Sequence, residues 1–358
     1  MHPFPIVNMQ GSLSNPNIAI EAAKEGRIDQ LSAAIGIRVD GRAIRDAQDS
    51  GIAAVCINLG HVVGPGEPFA MSVNDIGACD AFIAGLPDAF KKINALADIR
   101  SCHETGSIGV IYGFQNTEML GGDCSRIEYF ANLGVRVMQL TYNGANRIGH
   151  GCMIQDSLGL TPFGREAVQR MNECGVLIDL SHSNSQTLVD AIEASSTPIV
   201  VSHTGCRQIA DVPRNITDQA LRRLAKSGGV MGIYAMPFLR LGSQPHLEDF
   251  VRHVEHAIHV CGEDHVGIGT DGFISQVDDV KSYMGYLAED IASRRKDGVS
   301  ATGESEAVAL FLPDMRGPSQ FQILADALSH RGHSSLRIEK VLGANFMRVM
   351  THAWIGEK

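Results

Sequence analysis

Two histidines stand at the ends of two neighbouring predicted strands, a placement that suits shared chemistry. His182 follows the segment Ile-Asp-Leu-Ser, His203 follows Ile-Val-Val-Ser, and a third predicted strand runs directly into Asp271. Neutral imidazole is a good zinc ligand, and two imidazoles from adjacent strands can share one ion with a carboxylate beside them. The three side chains therefore predict a metal site built from strand ends.

Each of these residues, taken singly, also has a structural interpretation. A Ser-His pair at one strand end can be a capping or core histidine, and Asp271 can cap the turn that follows it. The repetition of Ser-His on consecutive strands, together with Thr-Asp after a later one, favours a functional rim.

The apolar runs of the chain predict the elements that position these residues. Eight short runs rich in β-branched residues lie at 4–7, 53–59, 108–112, 136–140, 177–180, 199–201, 230–234 and 266–269. Such continuous runs are typical of parallel strands covered on both faces. Helical patterns lie between them, for example at 124–132, 164–173, 185–194, 217–227 and 247–261.

This alternation predicts an α/β fold, a (β/α)8 TIM barrel, as a single domain over residues 1–358. An open doubly wound sheet is the alternative, but residues 7–11 lack the glycine-rich phosphate turn that such a sheet carries after its first strand. Two stretches, 60–76 and 272–317, break the pattern. We predict that both are loop insertions, as loops or short helices, that lie over the mouth as lids.

In a barrel of this kind the site lies at the carboxyl ends of the strands. Gln115 follows the third predicted strand and Tyr142 the fourth, so both belong to the rim. Arg214 lies in the loop after the sixth strand, where its planar guanidinium suits a two-pronged contact with a substrate carboxylate. Tyr142 as plain packing and Arg214 as a surface residue are the simpler interpretations.

Composition excludes several classes of partner. The net charge of −10, without a long run of Lys or Arg, argues against a nucleic-acid partner. No apolar run reaches the ~20 residues of a membrane span. The eight cysteines form no C-x-x-C pair, which favours free thiols in a reducing compartment. We therefore expect a cytoplasmic protein without nucleic-acid or membrane partners.

Several motifs in their chain order resemble those of a known family. They lie at 139–143, 159–164, 178–182, 198–203, 213–215, 267–271 and 343–346. The chain resembles the membrane (renal) dipeptidases, peptidase family M19. The resemblance implies an amidohydrolase-like barrel of the metal-dependent hydrolase type, usually a homodimer, that cleaves a small amide or dipeptide with a free carboxylate.

The resemblance also implies roles for individual residues. His182 and His203 match the pair of histidines that holds one of two adjacent zinc ions, and Asp271 matches an aspartate that holds the other. Arg214 matches the residue that binds the carboxylate of the substrate. Tyr142 takes the place of a histidine that polarises the scissile carbonyl.

We expect two further side chains to contact the substrate, Gln115 and Asn143.

Three expected metal ligands are absent. The His-x-Asp pair of the first strand is replaced by Gln10 and Ser12, and the glutamate that bridges the two ions is replaced by Gln115. Only Asp271 then remains anionic. Two divalent cations ~3.5–4 Å apart repel strongly, and neutral amides do not offset that repulsion. We therefore predict a divergent member with one zinc ion rather than two.

Three functions remain open from the sequence. The first is a single-metal hydrolase in which His182 and His203 hold zinc and Asp271 is a third ligand or a base. The second is a metal-free lyase or isomerase that uses the same residues as acid and base. The third is a non-catalytic protein that binds a small molecule in the same pocket.

Overall fold

Parallel strands form the centre of the computed structural model, which describes residues 3–25, 38–155, 158–296 and 298–354. Within those residues the strands are β1 Ile6–Asn8, β2 Ile52–Asn58, β3 Phe90–Lys92, β4 Ile108–Phe114, β5 Val135–Gln139, β6 Leu177–Asp179, β7 Val200–Thr204, β8 Val230–Ile233 and β9 Val266–Ile268. Eight of them form a nearly closed barrel in the order β1-β2-β4-β5-β6-β7-β8-β9. The predicted (β/α)8 barrel is therefore confirmed.

The barrel closes where its first and last strands meet. The backbone N–H of Met9 donates to the carbonyl of Ile268 at 3.0 Å. The Asn8 side chain donates to Thr270 Oγ1 at 2.8 Å and accepts the backbone N–H of Thr270 at 2.8 Å. One amide side chain thus joins two strands from opposite ends of the sequence.

Strand β3 is the element that the sequence pattern did not predict. It pairs in parallel with the first half of β4, while β5 takes the second half of the same edge. Its sequence is Phe-Lys-Lys, which offers neither a β-branched residue nor an apolar run. Its pairing with β4 is a tertiary effect that local pattern does not reveal.

Helices cover the outside of the barrel. They are α1 Pro16–Lys24, α2 Gly41–Asp49, α3 Pro68–Gly85, α4 Leu96–Thr105, α5 Ser125–Asn132, α6 Pro162–Glu173, α7 Ser185–Ala194, α8 Asp218–Lys226, α9 Leu247–Cys261, α10 Val280–Lys296, α11 Gln320–His330, α12 Ser335–Glu339 and α13 Asn345–Ala353. Asn184 starts α7 because its side chain accepts the backbone N–H of Thr187 at 2.8 Å. This cap fixes the loop that carries His182.

Two glycines let the last three barrel strands approach closely beside the site. A Cβ atom at Gly232 or Gly269 would lie about 2 Å from the backbone carbonyl oxygen of Ser202. Any larger residue would therefore push β8 or β9 away from β7. The position of His203, the next residue in β7, depends on this close packing.

The two predicted insertions contain more regular structure than their polar composition indicated. Helix α3 begins at Pro68, inside the first insertion. Helix α10 is 17 residues long and lies within the second insertion. That insertion is therefore neither a plain loop nor a short helix. Within the described ranges, no helix is long and apolar enough to cross a membrane.

Candidate active site

The two predicted histidines lie against each other at the carboxyl end of the barrel. His182 follows β6 in the loop before α7, and His203 lies near the end of β7. Their Nε2 atoms are 3.0 Å apart, and both side chains are buried. The structure therefore brings together the pair that the repeated Ser-His motif indicated.

The His182 ring is oriented by an asparagine. Asn143 Oδ1 lies 2.7 Å from His182 Nδ1, while Asn143 Nδ2 donates to the carbonyl of Val299 at 2.9 Å. A carbonyl only accepts, so the amide orientation is fixed and His182 Nδ1–H is the donor. His182 Nε2 therefore carries a lone pair that faces His203. The Tyr142 ring stacks on one face of the His182 ring, at a centroid distance of 4.2 Å.

The His203 ring is oriented by a serine and a buried carboxylate. Ser202 Oγ lies 2.8 Å from His203 Nδ1 and also bonds to Asp179. Burial raises the pKa of Asp179, while hydrogen bonds from Ser202 and Ser181 favour its charged form. With Asp179 ionised, Ser202 donates to the carboxylate and accepts from His203 Nδ1–H. In that state the Nε2 atom of His203 carries a lone pair, whereas a protonated Asp179 reverses the chain and leaves the ring proton on Nε2, where it donates to His182.

This arrangement fits one zinc ion between the imidazoles. Burial and the charge of Arg214 lower the pKa of both histidines well below the usual range, so both rings are neutral. Without a metal ion, one Nε2–H donates to the other Nε2 at this distance, and a bound metal ion would take the place of that proton. Zn–N bonds of ~2.0–2.1 Å place two ligand nitrogens roughly 3.3 Å apart, close to the observed separation. Each ring also has the hydrogen-bonded Nδ1 typical of a metal ligand.

Asp271 lies three residues after the end of β9, next to Gln10. Its backbone N–H donates to the carbonyl of Gln10 at 2.9 Å, and the Gln10 side chain hydrogen-bonds its carboxylate. The surrounding protein displaces water and raises the pKa of Asp271 to about 6, against the opposing charges of Arg214 and Arg294. Across the described ranges, no three His, Cys, Asp or Glu side chains are arranged to hold one metal ion. Asp271 therefore does not complete a three-ligand set with the histidines here.

Arg214 lies beside the histidine pair in a cavity of about 240 Å³. Its side chain is 4% exposed and is placed over the ring of Tyr234. One guanidinium nitrogen, Nη2, lies 3.5 Å from the carbonyl of His203. The remaining N–H groups have no hydrogen-bond partner in the described part of the chain, so they are available to a carboxylate in the cavity.

Gln115 and Asn143, the two other residues predicted to contact the substrate, are held in different ways. Gln115 is held by its backbone: its N–H donates to Asn58, and its carbonyl accepts from Gln139. Its side chain is partly exposed and forms no hydrogen bond within the described residues. Asn143 is buried and its amide is fully engaged with His182 and Val299. We therefore interpret Asn143 as a residue that positions His182.

Two more cavities open around the mouth. One, of about 220 Å³, is lined by Asp271, Gln10 and Ser12. The other, of about 370 Å³, is lined by Tyr142 and His61 among others. The predicted catalytic residues thus border open space on two sides of the histidine pair.

The model of the membrane dipeptidases, peptidase family M19, matches residues 48–302 of the sequence. The chain belongs to this family of hydrolases. The match covers most of the barrel, from α2 into the segment that follows α10. The resemblance inferred from the motifs is therefore confirmed.

Individual relatives match much of the chain. An uncharacterized Klebsiella pneumoniae protein from the pqqA 5′ region is 27% identical over 81% of this chain and 98% of its own length. The dipeptidase tcpJ of Claviceps purpurea is 27% identical over 74% of this chain, but the match spans 55% of that protein.

Solved structures show the same fold. An amidohydrolase from Pseudomonas aeruginosa superposes with a TM-score of 0.80 at 27% identity, over 98% of this chain and 97% of that one. A metallopeptidase from Rhodobacter sphaeroides, bound to a phosphinate mimic of L-Ala-D-Ala, superposes with a TM-score of 0.75 at 20% identity. That match covers 99% of this chain and all of the other.

Sequence reasoning about this M19 site missed three residues that the geometry brings forward. Asp179 and Ser202 orient His203, and the repeated serine before each histidine was the available signal. Arg294 reaches the mouth from α10 and lies 3.5 Å from the Tyr142 hydroxyl. No sequence signal distinguishes it from the arginine that follows it.

Proposed function

We propose that the chain hydrolyses an amide bond in a small substrate with a free carboxylate, with dipeptides as the first candidates. The buried pair of His182 and His203 carries this proposal, because its two Nε2 atoms lie 3.0 Å apart beside Arg214. A cation-binding centre next to a carboxylate-binding arginine suits amide hydrolysis.

The residues around the pair have distinct tasks in this proposal. Arg214 holds the substrate carboxylate in its cavity. Tyr142 donates a hydrogen bond to the carbonyl oxygen as that oxygen gains charge. Asp271 accepts a proton from the attacking water, for which a pKa of about 6 is suitable near neutral pH. It then returns the proton to the departing amine.

One zinc ion bound to the two histidines would polarise the carbonyl and lower the pKa of its bound water. The protein residues would place the substrate and move the protons around it. Asn143 and Ser202 hold the imidazoles in the required tautomers. We also propose a cytoplasmic homodimer, which sedimentation of the purified chain and cell fractionation test.

The test is release of free amino acid from a dipeptide panel, measured with added zinc and after chelation. Arg214→Gln should lower kcat/KM by roughly 10- to 100-fold, since it removes charged hydrogen bonds. Arg207→Gln is the matched control, because Arg207 lines the same cavity but pairs with Asp211.

A substrate series completes this test. Dipeptides with an amidated carboxyl end should be poor substrates of the wild-type chain, and Arg214→Gln should not discriminate against them. Equal losses in the Arg214 and Arg207 variants, or activity that survives both chelation and His182→Ala, would refute the proposal.

A metal-free reaction is the second candidate, and one observation favours it. A pKa of about 6 lets Asp271 act as a base near neutral pH without any metal. Turnover that ignores chelators and follows a bell-shaped pH profile supports this alternative. Ligand-induced thermal stabilisation without any product supports the non-catalytic interpretation instead.

A further inference from the structure

Arg294 is delivered to the mouth of the barrel by α10. Its side chain is mostly buried, and its Nη2 donates to Glu304 at 2.8 Å and lies 3.5 Å from the Tyr142 hydroxyl. Its Nε and Nη1 atoms make no hydrogen bond within the described residues, and neither is sealed from solvent. Arg294 thus has N–H groups available for a ligand beside Tyr142, the proposed carbonyl-binding residue.

A short strap, defined here as residues 299–304, holds Arg294 in place. Glu304 is nearly fully buried, and it accepts a hydrogen bond from Ser300 at 2.6 Å as well as the ion pair from Arg294. Val299 accepts from Asn143, the residue that orients His182. The strap therefore contacts both Arg294 and the residue that orients His182.

The next residue provides a contrast. Arg295 pairs with Glu306 at 2.6 Å, and both side chains are about half exposed. It turns away from the site although it has the same chemistry and nearly the same position in the sequence. The inward placement of Arg294 is therefore specific to that residue rather than a property of the basic end of α10.

Without a second metal ion, the mouth of the barrel lacks the positive charge that this ion would supply. Arg214 and Arg294 are the guanidinium groups whose charges act on both Asp271 and His182. Arg214 is adjacent to the carboxylate-binding cavity, whereas Arg294 is adjacent to Tyr142. The two arginines are thus divided between two different tasks.

We propose that Arg294 contacts the substrate and, with the Tyr142 hydroxyl, forms the donor pair for the oxygen of the scissile carbonyl. This inference rests on the proposed amide hydrolysis. Water adds to the carbonyl carbon, and the C=O π electrons move to the oxygen that Arg294 and Tyr142 hold. When that electron pair returns, the C–N bond breaks. The water proton held by Asp271 passes to the amine, which leaves an acid and a free amine.

The experiment compares Arg294→Gln with Arg295→Gln, the same substitution at neighbouring positions. Arg294→Gln should lower kcat by about 100- to 1,000-fold with KM changed less than about threefold, as is typical for loss of an oxyanion donor. Arg295→Gln should leave both constants near the wild-type values. Equal kinetics in the two variants would overturn the proposal.

Binding gives a readout that does not require turnover. A phosphinate dipeptide analogue mimics the tetrahedral adduct, and free alanine mimics the carboxylate end alone. Arg294→Gln should weaken phosphinate binding by about 100-fold and alanine binding by less than about threefold. Equal weakening of both probes, or weakening of neither, contradicts the proposal, as does a wild-type chain that binds no phosphinate.

A second variant covers the case in which Arg294→Gln does not fold. Arg294→Lys keeps a cation that can pair with Glu304 but loses the two-pronged fork. It should weaken phosphinate binding by about tenfold, and wild-type affinity in this variant would count against the proposal. If the wild-type chain cleaves no dipeptide yet shows this discrimination, the proposed function fails while the role of Arg294 stands.

Discussion

His182 and Asp271 both adopt left-handed backbone conformations, with φ angles of 62° and 55°. Side chains other than glycine are strained there by on the order of 1–2 kcal/mol. In the described residues they are the only non-glycine positions with positive φ, and both are predicted site residues. The surrounding barrel therefore maintains local strain at the residues that we assign to chemistry.

Asp271→Asn should stabilise the protein while abolishing hydrolysis. The folded pKa of Asp271 is raised to about 6 from 3.8, so the ionised carboxylate disfavours folding above pH 6. Asparagine tolerates the left-handed conformation and carries no charge. The free energy of unfolding should rise by on the order of 1–2 kcal/mol at pH 8.

This gain should shrink as the pH falls from 6 towards 4, because the aspartate becomes protonated in the folded chain and partly protonated in the unfolded chain. Denaturant unfolding of the chelated protein at pH 8, 6 and 4 measures it. Asp278→Asn is the control, because ion pairing with Arg42 lowers the pKa of Asp278 and reverses the sign. A gain that does not depend on pH would contradict the assignment.

Ser202→Ala should weaken zinc binding by the histidine pair and lower activity. The variant removes the acceptor for His203 Nδ1–H, and loss of such an outer contact typically weakens metal binding or activity by 10–100-fold. Ser181→Ala is the comparison, since Ser181 also donates to Asp179 but contacts the backbone N–H of His203 rather than its ring. Zinc affinity and kcat/KM of the two variants check this, and similar losses would show a purely structural effect.

At the scale of elements, α9 is tied to the site side of the barrel through a buried histidine. His253 accepts the backbone N–H of Cys206 at 2.8 Å and donates to the carbonyl of Leu239 at 3.0 Å. Both partners are backbone groups in loops that follow β7 and β8. Helix α9 thus braces the segment that follows His203.

This bracing histidine should make the fold sensitive to mild acid. Burial lowers the pKa of His253 to about 4 from 6.5, so the unfolded chain binds a proton that the folded chain excludes. The stability that His253 contributes should therefore be full above pH 6.5 and fall by up to about 3 kcal/mol as the pH drops to 4. His253→Gln should flatten this slope, whereas His259→Gln, at an exposed position of α9, should not.

Most barrel elements could be predicted because their signals are local. The predicted strands agree with β1, β2 and β4–β9 to within three residues, and the prediction for α9 matches its bounds. Strand β3 and the long helix α10 were missed. Their sequences are polar, and their structure depends on the neighbouring surface.

At the scale of the whole molecule, we predict that the balance of charge at the mouth limits the number of metal ions that bind. Elemental analysis should give about one zinc ion per wild-type chain. The triple variant Gln10→His, Ser12→Asp, Gln115→Glu restores the missing family ligands and should take up about two, because added carboxylates offset the repulsion between dications. About two ions in the wild-type chain would contradict the charge argument.

The site could be predicted only in part. His182, His203 and Asp271 follow from strand ends, since a parallel barrel brings those ends to one rim. Arg294 could not, because its approach to Tyr142 depends on how α10 and the strap fold back over the mouth. Contacts set by a long connection are not encoded in any local pattern.

The two hydrogen bonds between Asn8 and Thr270 have a consequence for how the chain folds during synthesis. The partners are 262 residues apart, so β1 leaves the ribosome long before β9 exists. At roughly 5–20 residues per second, that interval lasts on the order of 13–50 s. One flank of β1 lacks its partner throughout, which is the condition under which nascent chains engage chaperones. The contacts between β1 and β9 therefore form only late in synthesis, after the segment that carries Thr270 has emerged, and the backbone hydrogen bond from Met9 to Ile268 forms with them.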